Sequence, residues 1–96
     1  MTEDKLTILK HIIQLLDEAV QQLDNKQYTT LLSTLIRLTI IVKHYILPQL
    51  NQQYIEQRIK QLVHQYLNNN INEEEIREKI IQYIKWILEK TLKKLP

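Results

Sequence analysis

Residues 6–23 read LTILKHIIQLLDEAVQQL, and the apolar side chains of this stretch recur in alternating steps of three and four. The repeating set is Leu6, Leu9, Ile13, Leu16, Val20 and Leu23. At about 100° per residue, this spacing places them on one side of an α-helix, whereas a half-buried strand would alternate every second residue. The set is widened to about half of the circumference by Ile8, Ile12, Leu15 and Ala19. The stretch therefore predicts a first helix, over residues 3–23, with a broad buried face.

A second helix is predicted over residues 27–47, and it is apolar around nearly its whole circumference. Its one polar stripe consists of Thr30, Ser33, Thr34, Arg37 and His44. A helix of this kind must be covered on several sides, so we expect it to be the central element of the fold. Its expected N-cap is Asp24 or Asn25, with Gln27 as the capping-box partner of Asp24.

Pro48 ends or kinks the second helix, because proline lacks a backbone donor and disfavours helical conformation at the preceding residue. Asn51 can cap a third helix that runs to about residue 67. The predicted buried edge of that helix is Ile55, Ile59, Leu62, Val63, Tyr66 and Leu67. The asparagine triplet at residues 68–70 has no apolar periodicity and predicts a turn.

The fourth helix has the clearest start signal in the chain. Asn72 is its predicted N-cap, Glu75 stands three residues later, and Ile71 and Ile76 are placed to form a hydrophobic staple. The predicted core face of this helix is Ile76, Ile80, Tyr83, Ile84, Ile87 and Leu88, extended by Ile81 and Leu92.

Four helices of about 18 to 22 residues with short connections favour antiparallel neighbours. We therefore predict one domain over residues 1–96, folded as an all-α, antiparallel up-and-down four-helix bundle. The alternative is a three-helix bundle in which the second and third helices form one rod kinked at Pro48.

The composition excludes several classes of site, because the chain contains neither glycine nor cysteine. Without glycine, glycine-rich phosphate loops are excluded and a β-rich fold with tight hairpins is disfavoured. Without cysteine, disulfides, thiolate metal sites and a cysteine nucleophile are excluded. The formal net charge of +2 does not by itself indicate a nucleic-acid-binding protein. Abundant Ile, Lys, Asn and Tyr beside a single Ala are typical of AT-rich genomes, such as viral or archaeal ones.

We expect a soluble protein of the cytoplasm, or of an infected host cell if the source is viral. The most apolar stretch, residues 31–47, is short for a bilayer-spanning helix and contains Arg37, Lys43 and His44. Residues 1–5 carry two acids, and no clean apolar segment typical of a signal peptide follows them.

The sequence offers no cluster of acid, base and nucleophile, so we expect no enzyme and no catalytic residue. His11 faces away from the predicted core, and His64 would lie about half a helix away from the level of His11 and His44. The Glu-x-x-His pair of ferritin-like metal sites is also missing. We therefore expect neither a metal site nor a cofactor.

Two arginine–histidine pairs have a notable spacing. Five residues separate Arg58 from His64, and six separate Arg37 from His44. This spacing resembles the Arg-x4–6-His motif of the HEPN superfamily, helical bundles that include dimeric, metal-independent ribonucleases. The resemblance covers seven or eight residues. It implies that an Arg and a His from two subunits would meet around an RNA phosphate, and it gives an HEPN-type ribonuclease as the remote alternative function.

The outer face of the predicted third helix combines amides with cations. Its members are Gln53, Gln57, Arg58, Lys60, Gln61 and His64. Side chains of these types bind base edges and phosphates, and Glu56 is the one acid nearby that would repel a phosphate. This face makes a DNA- or RNA-binding protein the main alternative function, although a solvated face of a glutamine-rich protein has the same composition.

Trp86 is the one tryptophan of the chain, and on the predicted fourth helix it projects away from the core beside Lys79, Gln82 and Lys90. A large aromatic side chain among basic residues is a common anchor of protein interfaces. Two other interpretations are that Trp86 closes the edge of the bundle, or that this amphipathic, basic helix lies on an anionic membrane. We expect no membrane role.

The apolar faces of the first, second and fourth helices are wider than a closed monomeric bundle needs. The leading hypothesis is therefore a small, non-enzymatic interaction or accessory protein. It would act through helix-face contacts with itself or with a larger protein complex. We expect a protein partner or a homo-oligomer such as a homodimer, with nucleic acid as the alternative partner.

Overall fold

The computed structural model describes residues 5–94, which form the helices α1 (Lys5–Asp24), α2 (Tyr28–Tyr45), α3 (Gln52–Leu67) and α4 (Glu73–Lys94). No strand occurs in this range. Each of α1 and α3 packs beside both α2 and α4, and the bundle measures 46 × 25 × 21 Å. The predicted all-α, up-and-down four-helix bundle is confirmed. Residues 3 and 4, which were predicted to begin the first helix, lie outside the described part of the chain.

Pro48 breaks the chain between α2 and α3 and does not merely kink it. The Ile46 and Leu47 amides both donate to the Val42 carbonyl, at 2.9 and 2.8 Å, and α2 ends there. Lys43 Nζ then donates to the carbonyls of Pro48 and Leu50, at 3.1 and 2.6 Å, which ties the connection to the end of α2. The alternative of a single rod formed by the second and third helices is therefore wrong.

The helix termini follow the sequence signals at two of three predicted caps. Asn51 Oδ1 accepts from the Tyr54 amide at 3.0 Å, and Asn72 Oδ1 accepts from the Glu75 amide at 2.8 Å. The predicted cap of the second helix is wrong, because α2 follows Gln27 and no side chain caps it. α1 extends through Asp24, whose carboxylate accepts from Arg77 of α4 at 3.2 Å instead.

Two turns end helices in the left-handed conformation without glycine. After α1, the Gln27 amide donates to the Gln22 carbonyl and the Lys26 amide to the Leu23 carbonyl, with Lys26 at φ 59°. After α3, the same pair of hydrogen bonds forms around Asn69, at φ 62°. Both turns are Schellman motifs, in which the left-handed residue is most often glycine.

The core consists of two clusters stacked along the bundle. One contains Ala19, Leu23, Tyr28, Leu31, Leu35, Ile59, Val63, Ile76 and Ile80. The other contains Ile12, Leu15, Leu16, Leu38, Val42, Leu47 and Ile87. Tyr83 and Ile84 of α4 pack against both clusters. α1, α2 and α4 each contribute buried residues to both clusters, so the second helix, which was predicted to be the central element, is one of four helices around a shared core.

The predicted core faces are wrong at their edges. The side chains predicted to be buried but found exposed are Leu6, Ile13 and Val20 of α1, Leu67 of α3, and Ile81, Leu88 and Leu92 of α4. A helix in a four-helix bundle buries a narrower arc than these apolar stripes cover, and the core side of α1 is centred on Ile12 and Ala19 instead. Conversely, Thr34 belongs to the core rather than to a polar stripe, because its hydroxyl donates to the Thr30 carbonyl at 3.2 Å.

Candidate binding cleft between α3 and α4

A cleft of about 380 Å³ runs between α3 and α4. Its α3 side is lined by Tyr54, Ile55, Arg58, Ile59 and Leu62, and its α4 side by Lys79, Gln82, Tyr83 and Trp86. Within each helix these residues recur in steps of three and four, which places them on the flank that faces the other helix. The cleft therefore follows from the helical periodicity of both segments.

The inner wall of the cleft is fixed by Tyr83. Its hydroxyl is hydrogen-bonded to the Thr39 hydroxyl of α2, and Thr39 donates in turn to the Leu35 carbonyl at 2.7 Å. Because the single hydrogen of Thr39 is used in that second bond, Tyr83 is the donor of the first. Burial raises the pKa of Tyr83 to about 12, so the side chain stays neutral. The inner end of Tyr83 is thus anchored while its ring lines the cleft.

Trp86 lies beside Tyr83 and is only half-buried rather than fully exposed. The two rings are stacked, with centroids 6.1 Å apart and planes 19° from parallel. Trp86 also packs against the core cluster that contains Ile12 and Ile87. One side of the indole therefore closes the bundle edge while the other lines the cleft. The role of Trp86 as an interface anchor stays a prediction.

Two cations stand on opposite rims of the cleft. The Arg58 guanidinium lies 5.8 Å from the centre of the Tyr54 ring, and its Nη1 donates to the Tyr54 hydroxyl at 3.4 Å. Lys79 is exposed on the α4 rim. Among the described residues, no ion pair involves Arg58 or Lys79. The cleft therefore combines an apolar, aromatic interior with a cation on each side that forms no ion pair among the described residues.

The remaining residues singled out from the sequence lie on other surfaces. Lys60, Gln61 and His64 line a shallow depression together with Gln65, Asn68 and Asn70. Gln53 and Gln57 are exposed on α3, and Lys90 is half-buried on α4 outside the cleft lining. Arg58 and Lys60 are two residues apart, about 200° around the helix, so they point to different neighbours. Arg58 therefore lies in the same cleft as Trp86, whereas Lys60 lies in the neighbouring depression.

Four cleft residues were predicted as core residues and not as partner contacts, namely Ile55, Ile59, Leu62 and Tyr83. Ile59 is buried as predicted, and the other three are half-buried. The signal that could have found them is their position at the edge of a core stripe, next to the polar residues Arg58 and Gln82. A cleft edge and a core edge look alike in a single sequence.

The paired arginines and histidines are engaged separately. Arg37 lies 3.9 Å from the carboxylate of Glu18, and the His44 ring packs on Tyr45 with centroids 4.6 Å apart. Arg58 lines the α3–α4 cleft, whereas His64 lies in the neighbouring depression. In residues 5–94, no three or more His, Asp or Glu side chains come together where they could hold a metal ion.

No protein-family model matches this chain, and no curated protein and no solved structure is significantly similar to it. Functional interpretation therefore depends on the geometry of the surfaces alone. None of the helices in the part of the chain that the structure describes has the length and apolar character needed to cross a bilayer.

Proposed function

We propose that this protein is a non-enzymatic interaction module whose α3–α4 cleft binds an acidic, amphipathic segment of a partner protein. The observation that supports this proposal is the aromatic cleft with a cation on each rim that forms no ion pair among the described residues. Apolar clefts with a few convergent polar groups are the usual form of a binding site, and this one falls at the small end of the usual volume range.

An apolar side chain of the partner enters the cleft against Tyr83, Trp86 and Leu62. Burying one large aliphatic or aromatic side chain contributes about 1.5–3 kcal/mol, which is sufficient for an anchor residue but not for tight binding by itself. Tyr83 and Trp86 are already stacked, and Tyr83 is held by its hydrogen bond to Thr39. Little side-chain conformational entropy is therefore lost when the partner binds.

Charge selects the partner segment. Carboxylates on either side of the apolar anchor pair with Arg58 on one rim and Lys79 on the other, and the planar guanidinium can bind a carboxylate with two parallel hydrogen bonds. Gln82 offers both a donor and an acceptor to the partner's backbone. A basic segment of the same shape is repelled at both rims.

The intrinsic fluorescence of the one tryptophan makes the cleft directly observable. A helical peptide with two apolar residues four apart, flanked by glutamates, should change the Trp86 emission with a Kd of about 1–100 μM. The matched peptide with lysines in place of glutamates should bind at least tenfold more weakly. Equal affinities for both peptides, or no change with either, would contradict the proposal.

Two variants with the same net charge show whether peptide binding depends on the cations of the cleft. The Arg58→Glu/Lys79→Glu protein should lose binding of the acidic peptide. The Lys5→Glu/Lys60→Glu protein has the same net charge but altered residues outside the cleft, so it should bind normally. Comparable loss in both proteins would show that only the overall charge matters.

Nucleic-acid binding is the second candidate, and the depression lined by Lys60, Gln61 and His64 favours it. Amides and a cation converge there beside two asparagines, and these groups can contact phosphates and bases. A gel shift with mixed DNA and RNA at low salt tests this candidate. Lys60→Glu should remove the shift and Arg58→Glu should leave it, whereas no shift with the unmodified protein excludes it.

A further inference from the structure

The outer side of the α1–α4 pair carries a continuous set of exposed apolar side chains. They are Leu6, Ile13 and Val20 on α1 and Ile81, Leu88 and Leu92 on α4, with exposed fractions between 37% and 57%. Scattered single apolar residues on a surface are normal, but a contiguous set marks an interaction site. This surface, called the α1–α4 face below, is distinct from the α3–α4 cleft.

One contact fixes the alignment of the two apolar stripes. Arg77 near the start of α4 donates to the carbonyl of Leu23 and the carboxylate of Asp24 at the end of α1, both at 3.2 Å. The two helices run antiparallel from that point, since Ile76 and Ile80 pack near Leu23 while Ile87 packs near Ile12. The stripes therefore run side by side from the Asp24–Arg77 contact.

The spacing from this contact is the same on both helices for two pairs of side chains, whereas Leu6 and Leu92 lie eighteen and fifteen residues from it. Val20 and Ile81 each lie four residues from it, and Ile13 and Leu88 each lie eleven residues from it. With the same rise of about 1.5 Å per residue in both helices, the members of each pair are level with one another. The result is a flat apolar strip whose middle is formed by Ile13 and Leu88.

We propose that the α1–α4 face is the interface of a two-fold symmetric dimer, in which a second copy of this chain packs with its helices antiparallel. In such a pair the middle residue of a stripe lies opposite itself, and residues equally far from the middle exchange positions. Ile13 then faces Ile13 of the second copy. Leu6 and Val20, each seven residues from Ile13, face one another across the interface.

The charges at the rim of the face are complementary to those of a second copy. On α1, Lys10 precedes the middle by three residues and Asp17 follows it by four, so the rotation brings Lys10 opposite Asp17 of the second copy. On α4, it brings Lys85 opposite Glu89 of the second copy, to within about one turn. All four side chains are exposed, and among the described residues neither Lys10 nor Lys85 forms an ion pair. Asp17 accepts from Gln21 at 3.1 Å and Glu89 lies 3.7 Å from Lys93, but both are exposed contacts four residues apart, which are weak.

The other two-fold arrangement, with its axis along the helices, exchanges α1 and α4 of the two copies. It brings Lys10 near Glu89 and Asp17 near Lys85 of the second copy, so the rim charges complement a second copy in either arrangement, whereas the symmetric spacing of the α1 stripe about Ile13 favours the antiparallel one. The available area also suits a dimer. Helices of about 30 Å length, packed about 10 Å apart, present a face of roughly 600 Å², close to the roughly 800 Å² per partner of a stable interface.

Sedimentation equilibrium of the unmodified chain tests the proposal, with a dimer as the expected result. Ile13→Glu places two like charges opposite each other at the centre and should weaken the dimer by roughly 100-fold or more. Ile40→Glu is the matched control, because Ile40 is a similarly exposed isoleucine on α2. Circular dichroism establishes that both variants fold. A monomeric unmodified protein, or a dimer that survives Ile13→Glu, overturns the proposal.

Two further experiments test the orientation. Lys10→Glu or Asp17→Lys alone should weaken the dimer by about tenfold, and the double variant should restore it. Because the chain has no cysteine, Ile13→Cys should give a disulfide-linked dimer on mild oxidation. Leu6→Cys should form a disulfide with Val20→Cys and not with itself. A disulfide between Ile13→Cys and Leu88→Cys, without self-linking of Ile13→Cys, would show that α1 faces α4 of the second copy and overturn the proposed orientation.

Discussion

The Thr39 hydroxyl on α2 and the Tyr83 hydroxyl on α4 are hydrogen-bonded to each other inside the bundle. This bond joins helices that are not consecutive in the chain, and it holds the ring that forms the inner wall of the α3–α4 cleft. The same hydroxyl of Thr39 donates to the Leu35 carbonyl, so both polar atoms are satisfied without water. This one polar contact therefore contributes both to the stability of the core and to the position of the cleft wall.

Replacing Thr39 with Val should destabilise the protein by about 1–3 kcal/mol, because the buried Tyr83 hydroxyl loses its acceptor. Thr91 on α4 is the matched control. It is fully buried as well, but within the described chain its hydroxyl has no hydrogen-bond partner. Thr91→Val should therefore leave stability unchanged or raise it by up to about 1 kcal/mol. Urea unfolding measures both, and equal losses would show that the Thr39–Tyr83 bond contributes nothing.

Stability should fall at high pH because of two tyrosines. Burial is the main cause that raises the pKa of both Tyr28 and Tyr83 to about 12 from the ordinary value of 10. Between about pH 10 and 12 the unfolded chain releases these protons more readily than the folded one, so unfolding is favoured as pH rises. Below pH 10 the effect is absent.

The measurement is the free energy of unfolding as a function of pH. The difference between pH 9 and pH 11.5 should be smaller in Tyr83→Phe than in the unmodified protein, and smaller again in Tyr28→Phe/Tyr83→Phe. An unchanged difference in the double variant would show that neither phenol is linked to folding.

The turn after α1 should be improved by glycine. Lys26 has a φ of 59°, where a side chain costs about 1 kcal/mol and glycine costs nothing. Lys26→Gly should stabilise the protein by about 0.5–1 kcal/mol, or by several degrees in Tm. Asn69→Gly should gain less, because asparagine tolerates this conformation.

Lys26→Gln is the control for the ion pair between Lys26 and Glu73, which are 3.3 Å apart and largely exposed. Its loss should cost only tenths of a kcal/mol. If Lys26→Gly lowered the free energy of unfolding as much as Lys26→Gln does, or more, the explanation from the backbone conformation would be wrong.

The sequence predicted the helices well because their stripes and caps are local signals. Asn51, Asn72 and Pro48 act on their own neighbours, and each behaves as its chemistry requires. The cap of α2 failed because α1 continues through Asp24, whose carboxylate is engaged by Arg77 more than 50 residues away. Such a tertiary contact leaves no local pattern.

The cleft was predictable only in pieces. Arg58 and Trp86 were each recognised as surface features, but the sequence placed them on two separate faces. They come together in one cleft because α3 packs against α4. Tyr83 forms the inner wall of that cleft because Thr39 of α2 holds its hydroxyl. The widths of the apolar stripes correctly indicated more apolar surface than the core uses. They did not indicate that Ile13 and Val20, rather than Leu16 and Leu23, would be the exposed members.

The most direct test of the proposed binding function is a charge exchange measured by calorimetry. The Arg58→Glu/Lys79→Glu protein should lose affinity for the glutamate-flanked peptide and gain affinity for the lysine-flanked one, each by tenfold or more. A variant that loses the acidic peptide without gaining the basic one, or that binds both as the unmodified protein does, would contradict an α3–α4 cleft that selects its partner by charge.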